Sequence, residues 1–178
     1  MTKKTMIRNV LLLFISVGLT SAFARELSEN QRGFSIKFPD GADWTEVTRE
    51  EQSANSVLWS STNRRMGLML SILVLPTPQG ISDTRFKENA LAWQKGFARQ
   101  FTTVEPGQFG RLAERDAYNL KTAIVRQESQ VLFTTWLVQK DPYVYQISIA
   151  AAKAEDRDGN VARSFLASLK IHRIGNLE

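Results

Sequence analysis

The chain has 178 residues, 43% of them hydrophobic, with 23 lysines and arginines, 18 aspartates and glutamates, one histidine and no cysteine. This composition excludes wholesale disorder, and the lack of cysteine excludes both a disulfide framework and thiol chemistry. The formal net charge of +5 comes partly from a short basic segment at the N-terminus.

The first 24 residues have the three parts of a secretory signal peptide. Residues 1–9 are short and basic, residues 10–19 form an apolar run of ten, and Ala22 and Ala24 supply the small residues that signal peptidase recognises. A spanning helix needs about 20 apolar residues, so an uncleaved membrane anchor is the less favoured alternative. We expect cleavage before Arg25, a periplasmic or secreted mature protein, and no integral membrane segment in it.

Removal of residues 1–24 leaves the 154 residues 25–178, which is the size of one domain. The removed segment carries Lys3, Lys4 and Arg8 and no acidic residue, so the mature chain has 20 basic and 18 acidic residues. This small positive excess is far from the basic footprint of a nucleic-acid-binding domain. We therefore predict a single domain over residues 25–178 and no nucleic-acid partner.

The first part of the mature chain predicts mainly strands. Residues 25–32 are polar and predict a loose lead-in, residues 33–39 alternate apolar and polar and predict a strand, and residues 48–52 suggest a short helical turn. Residues 57–62 and 66–75 flank a short polar connection and predict a hairpin. The second arm is apolar on both faces, which favours a central strand covered on two sides, although a buried helix segment has the same pattern.

The middle of the chain predicts an amphipathic helix. Ser82 can cap a helix that begins at Asp83, and Pro106-Gly107 marks the break after it. Its apolar stripe recurs every three or four residues and consists of Phe86, Ala90, Trp93, Phe97 and Phe101. We expect this stripe to pack on the sheet.

The last part returns to strands and ends in a helix. Strands are predicted over residues 109–114, 117–126, 131–139 and 143–152. Their connections are too short for parallel crossovers, which need about a dozen residues, and residues 159–170 predict a closing helix. The whole predicts an α+β fold, an α/β/α sandwich in which helices flank a mostly antiparallel sheet of six or seven strands.

Residues 33–39, GFSIKFP, with Trp44 just downstream, resemble the start of PsbP-type domains, in which a strand of this pattern precedes a tryptophan. Further along, the hairpin strand containing Tyr143-Val144-Tyr145 and the closing helix with Ser164-Phe165 are also similar. The chain thus resembles the PsbP-like domain family over residues 33–171. This resemblance implies an α/β/α sandwich around an antiparallel sheet.

The resemblance also implies an accessory or binding role. PsbP-like members include extrinsic subunits of the oxygen-evolving photosystem, a yeast Ran-binding relative and many exported bacterial proteins of unassigned role. Some photosynthetic members bind metal through histidine and carboxylates, a set that this chain does not reproduce because His172 is its one histidine. A shared fold does not carry function with it, so the role has to be argued from the residues.

The sequence holds no recognisable catalytic, cofactor or metal set. His172 is the one imidazole, and no G-x-S-x-G motif marks a nucleophilic serine to accompany it, so we predict an exposed tail residue. An isolated histidine without cysteine does not supply the usual ligands of a zinc site. We therefore predict no catalytic residue, no cofactor and no metal.

Two short motifs resemble binding loops only in part. Residues 156–160 resemble the first half of a calcium loop, but Val161 stands where glycine is needed. We predict instead a polar turn in which Asp158 or Asn160 caps the last helix. Residues 107–110 lack the third glycine of a dinucleotide-binding loop and predict a turn.

The outer face of the predicted helix is the candidate partner surface. Lys87, Lys95 and Arg99 make this face basic, so it can meet an acidic partner or a lipid headgroup. Asp83 and Glu88 dilute the charge, and a merely solvated face is the alternative interpretation.

Three functions are compatible with these observations. The first is a periplasmic, non-enzymatic accessory or protein-binding module with an unknown protein partner in the cell envelope, favoured by the signal peptide, the resemblance and the missing catalytic sets. The second is a carrier of a small apolar or amphipathic molecule, held between sheet and helix in a cleft lined by Phe97, Phe101, Tyr143 and Tyr145. The third is a hydrolase whose site is assembled from residues far apart in sequence.

Overall fold

Ten strands and three α-helices make up the part of the chain that the computed structural model describes, residues 24–53, 55–77, 85–126 and 129–174. In chain order they are β1 (Ala24–Glu29), β2 (Phe34–Pro39), β3 (Thr48–Ser53), β4 (Ser56–Asn63), β5 (Leu68–Pro76), α1 (Phe86–Phe97), β6 (Thr102–Leu112), β7 (Arg115–Arg126), β8 (Ser129–Lys140), β9 (Tyr143–Ala151), α2 (Ala154–Arg157), α3 (Asn160–Ala167) and β10 (Lys170–Ile171). Among these elements, no helix is long and apolar enough to cross a membrane. Residues 1–23 of the predicted signal peptide, and Ser82 and Asp83 at the predicted helix start, lie outside the described residues.

Two antiparallel sheets form the framework. The larger has seven strands in the order β3-β4-β5-β9-β8-β7-β6, and the smaller has three in the order β1-β2-β10. Helix α1 packs on one face of the larger sheet, while the smaller sheet and α3 pack on the other. This arrangement confirms the predicted α+β fold with a mostly antiparallel sheet.

The main core lies between the two sheets. Apolar residues alternate along β5 and are fully buried, as the period of two in a strand requires: Leu68, Leu70, Ile72 and Val74. They belong to one cluster with residues of β2 and α3: Phe34, Ile36, Phe38 and Phe165. Because each fully buried side chain of this size contributes about 1.5–3 kcal/mol, this layer is a major source of stability.

A second core lies under α1. Its buried members come from α1, β7 and β8, and they are Phe86, Ala90, Tyr118, Leu120 and Leu137. Trp93 and Phe97 are partly buried against this cluster, which confirms the predicted apolar stripe of the helix. Phe101 lies beyond the end of α1, where its ring stacks on Phe97 with the centroids 4.5 Å apart.

The strand predicted at residues 66–75 is confirmed as β5, and its partner in the predicted hairpin is β4. One face of β5 is fully buried, whereas Met69 and Leu73 on the other face are half-buried. A helix is about 10 Å wide and strands lie about 4.8 Å apart, so α1 covers about two strands. Since α1 packs on β7 and β8, its cover stops short of β5.

Two polar segments that are predicted as a loose lead-in and a helical turn are mainly strands in the structure. Residues 25–32, predicted as a loose lead-in, form most of β1, with Leu27 opposite Ile36 of β2, and a short turn of 3-10 helix. Residues 48–52, predicted as a helical turn, lie in β3 and pair with β4. Both strands end a sheet and remain largely exposed, so they lack apolar alternation, and backbone pairing to a neighbour decides their conformation.

Pro106 and Gly107, predicted as the break after the helix, lie inside β6. The register of β6 against β7 shifts between Glu105 and Gln108, and at such an irregularity of an edge strand the missing N–H of proline is tolerated. Gly107 lies against the ring of Tyr118, where a Cβ would meet the hydroxyl oxygen at 1.7 Å. Residues 107–110 are therefore a strand and not the predicted turn, and close packing explains the glycine.

The closing helix is shorter than the predicted range 159–170. Helix α3 ends at Ala167, and Lys170–Ile171 pair with β2 as β10. The backbone N–H of Lys37 also donates to Ser168 Oγ at 2.9 Å. Strand β2 is thus held on one side by β1 and on the other by the last strand of the described chain.

Candidate functional site

The outer side of α1 carries two of the predicted surface residues, and the third follows the helix. Lys87 and Lys95 lie on α1, Arg99 lies in the turn after it, and all three are exposed. Among the described residues, none of the three forms an ion pair with a carboxylate. Within the described ranges, the three side chains therefore present positive charge that no ion pair neutralises.

Leu91 lies between the two lysines on the same side of the helix. It is four residues from each of Lys87 and Lys95, the spacing at which helical side chains are neighbours, and it is 47% exposed. Leu91 lies outside the predicted apolar stripe of the helix, because that stripe consists of the residues that recur with Phe86. The sequence signal for Leu91 is a large apolar residue with a lysine four residues away on either side.

Phe109 of β6 continues this surface beside the helix. It is 45% exposed, and its ring centroid lies 5.9 Å from Lys87 Nζ and 6.4 Å from the ring of Phe86. A cation–π contact at an exposed site is worth about 0.5–1 kcal/mol, so it helps to hold the lysine over the ring. We name the group formed by Lys87, Leu91, Lys95, Arg99 and Phe109 the α1–β6 surface.

A buried tyrosine fixes the position of this surface. Tyr118 of β7 is 1% exposed, and its hydroxyl donates a hydrogen bond to Gln94 Oε1 of α1. Its ring centroid lies 4.8 Å from that of Phe109 and 6.3 Å from that of Trp93. Burial raises the pKa of the Tyr118 phenol, which keeps the hydroxyl protonated as a donor. The helix and Phe109 are therefore attached to one rigid group in the sheet.

Strand β6 ends the larger sheet, so its outer edge pairs with no other strand in the described ranges. Pro106 and the register shifts interrupt this edge, which is a common way of preventing unwanted strand pairing. Residues 108–112 pair regularly with β7. In this regular stretch, which includes Phe109, the outward-facing backbone groups of the edge are evenly spaced.

His172, predicted as an exposed tail residue, is half-buried. Its backbone N–H donates to the carbonyl oxygen of Gly33 at 2.9 Å, which continues the pairing of β10 with β2. Main-chain pairing therefore explains its position. The residues that the structure describes include no group of three or more histidine, cysteine or acidic side chains able to hold a metal ion.

The polar turn before α3 does not cap the helix as predicted. The N-cap residue is Gly159, without a side-chain capping bond. Asp158 accepts hydrogen bonds from Nε and Nη2 of the buried Arg157 at 3.1 and 2.6 Å, while Asn160 Oδ1 accepts from Arg163 at 2.7 Å. The hydrogen bonds from Arg157 lower the pKa of Asp158, so its carboxylate is engaged there instead of at the helix terminus.

The four aromatic residues predicted to line one ligand cleft lie on opposite faces of the larger sheet. Phe97 and Phe101 lie on the side of α1, where Phe101 also contacts Phe133 at 5.4 Å. Tyr145 lies in the main core and donates to the carbonyl oxygen of Arg32, and Tyr143 is its neighbour on that face. The sheet separates the two pairs, so the predicted cleft is wrong.

No protein-family model and no curated protein matches this chain. A protein from Bacteroides thetaiotaomicron VPI-5482 has a TM-score of 0.49 and 13% identity, covering 79% of this chain and 46% of that chain, so this chain spans less than half of it. PA94, a protein of unknown function from Pseudomonas aeruginosa, has a TM-score of 0.43 and 12% identity over 74% of this chain and 85% of that chain. LpqN of Mycobacterium tuberculosis, involved in cell envelope biogenesis, has a TM-score of 0.45 and 15% identity over 85% and 91%. These scores and identities transfer no role, and the likeness to PsbP-like domains rests on the sequence pattern alone.

Proposed function

We propose that this protein is a non-enzymatic accessory or binding module of the cell envelope, and that it holds an acidic protein partner on the α1–β6 surface. One observation carries the proposal: Leu91 and Phe109, each nearly half exposed, lie among cations that have no carboxylate partner in the described chain. Exposed apolar anchors within a charged rim are the usual composition of a protein-binding patch.

The two parts of the surface have different physical tasks. The apolar side chains of Leu91 and Phe109 lose water when a partner covers them, which slows dissociation. The charges of Lys87, Lys95 and Arg99 attract a partner of opposite sign over a distance of about a Debye length and so speed association. Exposed cations around apolar side chains bind and orient a partner, and the named surface holds no arranged pair of nucleophile and base, which is the reason for proposing a non-enzymatic role.

A folded partner or peptide fits this surface better than a lipid bilayer does. An interfacial helix binds a membrane by burying its apolar face among the lipids. The apolar face of α1, with Phe86 and Ala90, is already buried against the sheet. What remains for a partner is a narrow apolar strip bordered by charge.

The register of β1 allows the proposed cleavage. Ala24 lies opposite Pro39, and the next pair is Arg25 with Phe38. Cleavage before Arg25 therefore removes one paired residue and leaves the rest of β1 on β2. The proposed mature protein keeps every later element that the structure describes.

Co-purification from the native envelope tests the function. We expect the wild-type protein to retain its partner at low salt and the triple variant Lys87→Glu, Lys95→Glu, Arg99→Glu to bind it at least about tenfold more weakly. The melting temperature should change little, since these side chains are exposed, form no ion pair in the described ranges, and lose only the cation–π contact of Lys87, worth about 0.5–1 kcal/mol. Leu91→Gln should weaken binding at any salt concentration, because it alters the apolar part of the surface.

A matched variant controls for general charge effects. Arg64→Glu, Lys153→Glu and Arg173→Glu reverse the same number of exposed basic residues elsewhere. The proposal requires this control to keep the partner. Equal loss in both triple variants, or no loss in either, would show that the α1–β6 surface does not select the partner.

The carrier function has a different observation in its favour. A groove of about 610 Å³ lies between the β6–β7 turn and the end of α3, and its apolar lining includes Leu112, Leu166, Leu169 and Ile171. A groove of this size accommodates a small amphipathic molecule. Native mass spectrometry of the protein purified from the envelope distinguishes the two candidates: a bound lipid that Leu166→Asp removes favours the carrier.

A further inference from the structure

The face of the larger sheet that carries α1 has an apolar strip outside the core under the helix. Leu73 of β5 is in one cross-strand row with Gln146 of β9 and Leu137 of β8, and Leu137 belongs to that core. Side chains two residues apart in a strand share a face. Four large apolar side chains on this face, which we name the β4–β5 strip, are half-buried and belong to neither apolar cluster of the described residues: Leu58, Met69, Leu73 and Leu75.

Strand β9 forms the floor between the β4–β5 strip and α1. On the same face it carries the small side chains of Ser148, which lies opposite Ser71, and Ala150, which lies opposite Met69. Ser71 Oγ donates to the carbonyl oxygen of Ser148, and Ser148 Oγ donates to Thr135 Oγ1, both at 3.3 Å. These hydroxyls are therefore bonded within the sheet. The low floor between the helix and the larger aliphatic side chains forms a trough, which we name the β9 trough.

The width of the β9 trough matches one helix. Helix α1 lies over β7 and β8, and the boundary between β5 and β9 is two strands away from the boundary between β8 and β7. Strands lie about 4.8 Å apart, so these two boundaries are about 10 Å apart. Because the axes of packed helices are about 8–10 Å apart, a helix centred between β5 and β9 would contact both the strip and α1.

The side of α1 that borders the trough has small side chains. Asn89 Nδ2 donates to Gln139 Oε1 of β8 at 3.0 Å, whereas the α1–β6 surface is on the other side of the helix, so the side of Asn89 faces β9. Ala92 and Gly96 follow Asn89 by three and seven residues and lie on the same side. Both are exposed, and a Cβ at Gly96 meets nothing within 4 Å. A second helix can therefore approach α1 closely.

Acidic residues lie on both borders of the trough. Glu50 of β3 is opposite Leu58, Glu88 precedes Ala92 by one turn of α1, and both glutamates are exposed. The ion pairs between described residues include neither of them. Gln52 Nε2 donates to Glu50 at 3.2 Å, but this neutral donor leaves the charge of the carboxylate in place. The borders therefore attract a partner with basic residues.

We propose that the β9 trough binds an amphipathic helix of a partner protein, with aliphatic residues on one face and lysine or arginine along its borders. This role goes beyond the acidic partner proposed for the α1–β6 surface, since it uses the other side of α1. Leu75 and Met69 are six residues apart in β5, which spans about 20 Å, the length of a helix of about 13 residues. Such a helix would complete the cover on both faces of β5 that its apolar sequence predicts.

Nuclear magnetic resonance of the methionine methyl groups tests the proposal on the full chain. The probe is a peptide of about 14 residues with leucines on one helical face and lysines along both borders. We expect it to shift the methyl resonance of Met69 and not that of Met66, which packs against the main core. At low salt, a peptide with glutamates in place of the lysines should bind at least about tenfold more weakly, and a scrambled lysine peptide should cause no shift.

Two substitutions on α1 locate the bound peptide. Gly96→Leu should weaken binding of the lysine peptide at least about tenfold, because the new side chain enters the trough. Its melting temperature should not fall, since the position is open and leucine favours a helix more than glycine does. Leu91→Gln, on the other side of α1, is the control and should bind the peptide as the wild type does. Because Leu91→Gln should weaken the acidic partner, failure of one proposal is distinguishable from failure of the other.

Four results would each overturn the proposal. A Met69 resonance that no peptide shifts would show that the trough does not bind a helix. Equal binding of the lysine and glutamate peptides would remove the selection by Glu50 and Glu88. Unchanged binding to Gly96→Leu would place the peptide elsewhere on the protein. A Met69 resonance that shifts with protein concentration alone would show that a second copy of the chain covers the strip.

Discussion

Gly107→Ala is the sharpest test of how β6 and α1 are joined. An added Cβ would lie 1.7 Å from the hydroxyl oxygen of Tyr118, 2.3 Å from Cζ and 3.0 Å from Cε1. Tyr118 has little room to move, because it is 1% exposed and its hydroxyl is bonded to Gln94. Either the ring or the strand must therefore shift.

The expected loss of stability follows from these contacts. Overpacking a filled core costs about 1–3 kcal/mol, and the loss of the hydrogen bond to Gln94 costs about 1 kcal/mol more. The free energy of unfolding should therefore fall by about 2–4 kcal/mol. In a domain of this size each kcal/mol corresponds to roughly 2–4 °C, so the melting temperature should fall by roughly 5–15 °C.

Thermal unfolding followed by circular dichroism measures the effect. Gly96→Ala on α1 is the control, because a Cβ there meets nothing within 4 Å, and alanine in a helix is favoured over glycine by about 1 kcal/mol. It should raise the melting temperature slightly. In a Tyr118→Ala background, Gly107→Ala should cost nothing further. A Gly107→Ala protein with the same melting temperature as the wild type would refute the close packing of β6 on Tyr118.

Four further outcomes are expected. Phe165→Ala, which removes a side chain 1% exposed and 5.0 Å from the ring of Phe38, should lower the free energy of unfolding in urea by about 3–5 kcal/mol. Glu114→Gly should raise it by about 1 kcal/mol, because φ is 62° at this position and only glycine adopts that conformation without strain. Burial, and after it the neighbouring Tyr143, raises the pKa of Tyr145 from 10.0 to about 12. The free energy of unfolding should therefore stay constant below pH 10 and fall as the pH rises towards 12. Melting curves at a series of pH values should show that Tyr145→Phe reduces this alkaline loss. Intact mass spectrometry of periplasmic material should give a mature protein that begins at Arg25, and a protein that retains Met1 would contradict export.

Apolar periodicity was enough to predict the elements with buried faces. Three patterns reflect burial directly: the alternation in β2, the apolar run of β5, and the stripe of Phe86, Ala90 and Trp93 in α1. The structure has the predicted strand or helix at all three places. Strands β1 and β3 have no such pattern, because an exposed edge strand gains its stability from backbone pairing that any residue can make. Their positions depend on neighbours distant in sequence and are not visible locally.

Only the charged residues of the candidate site could be predicted from the sequence. Lys87, Lys95 and Arg99 follow from helical spacing alone. Phe109 reaches the same surface because β6 lies beside α1 and because Gly107 lets that strand approach Tyr118. Proline and glycine at 106–107 are typical of a chain break, and only the sheet register shows that they form an irregularity inside a strand.

The pairing of β2 has a consequence for when the molecule can fold. One neighbour of β2 is β1, a few residues before it, but the other is β10, whose pairs join Lys170 to Ser35 and Ile171 to Phe34. During synthesis, the small sheet stays incomplete until Ile171 has emerged, although β2 is one of the first strands of the described chain to be made. One edge of β2 therefore stays unpaired while most of the described chain is synthesised, which suits the export proposed above.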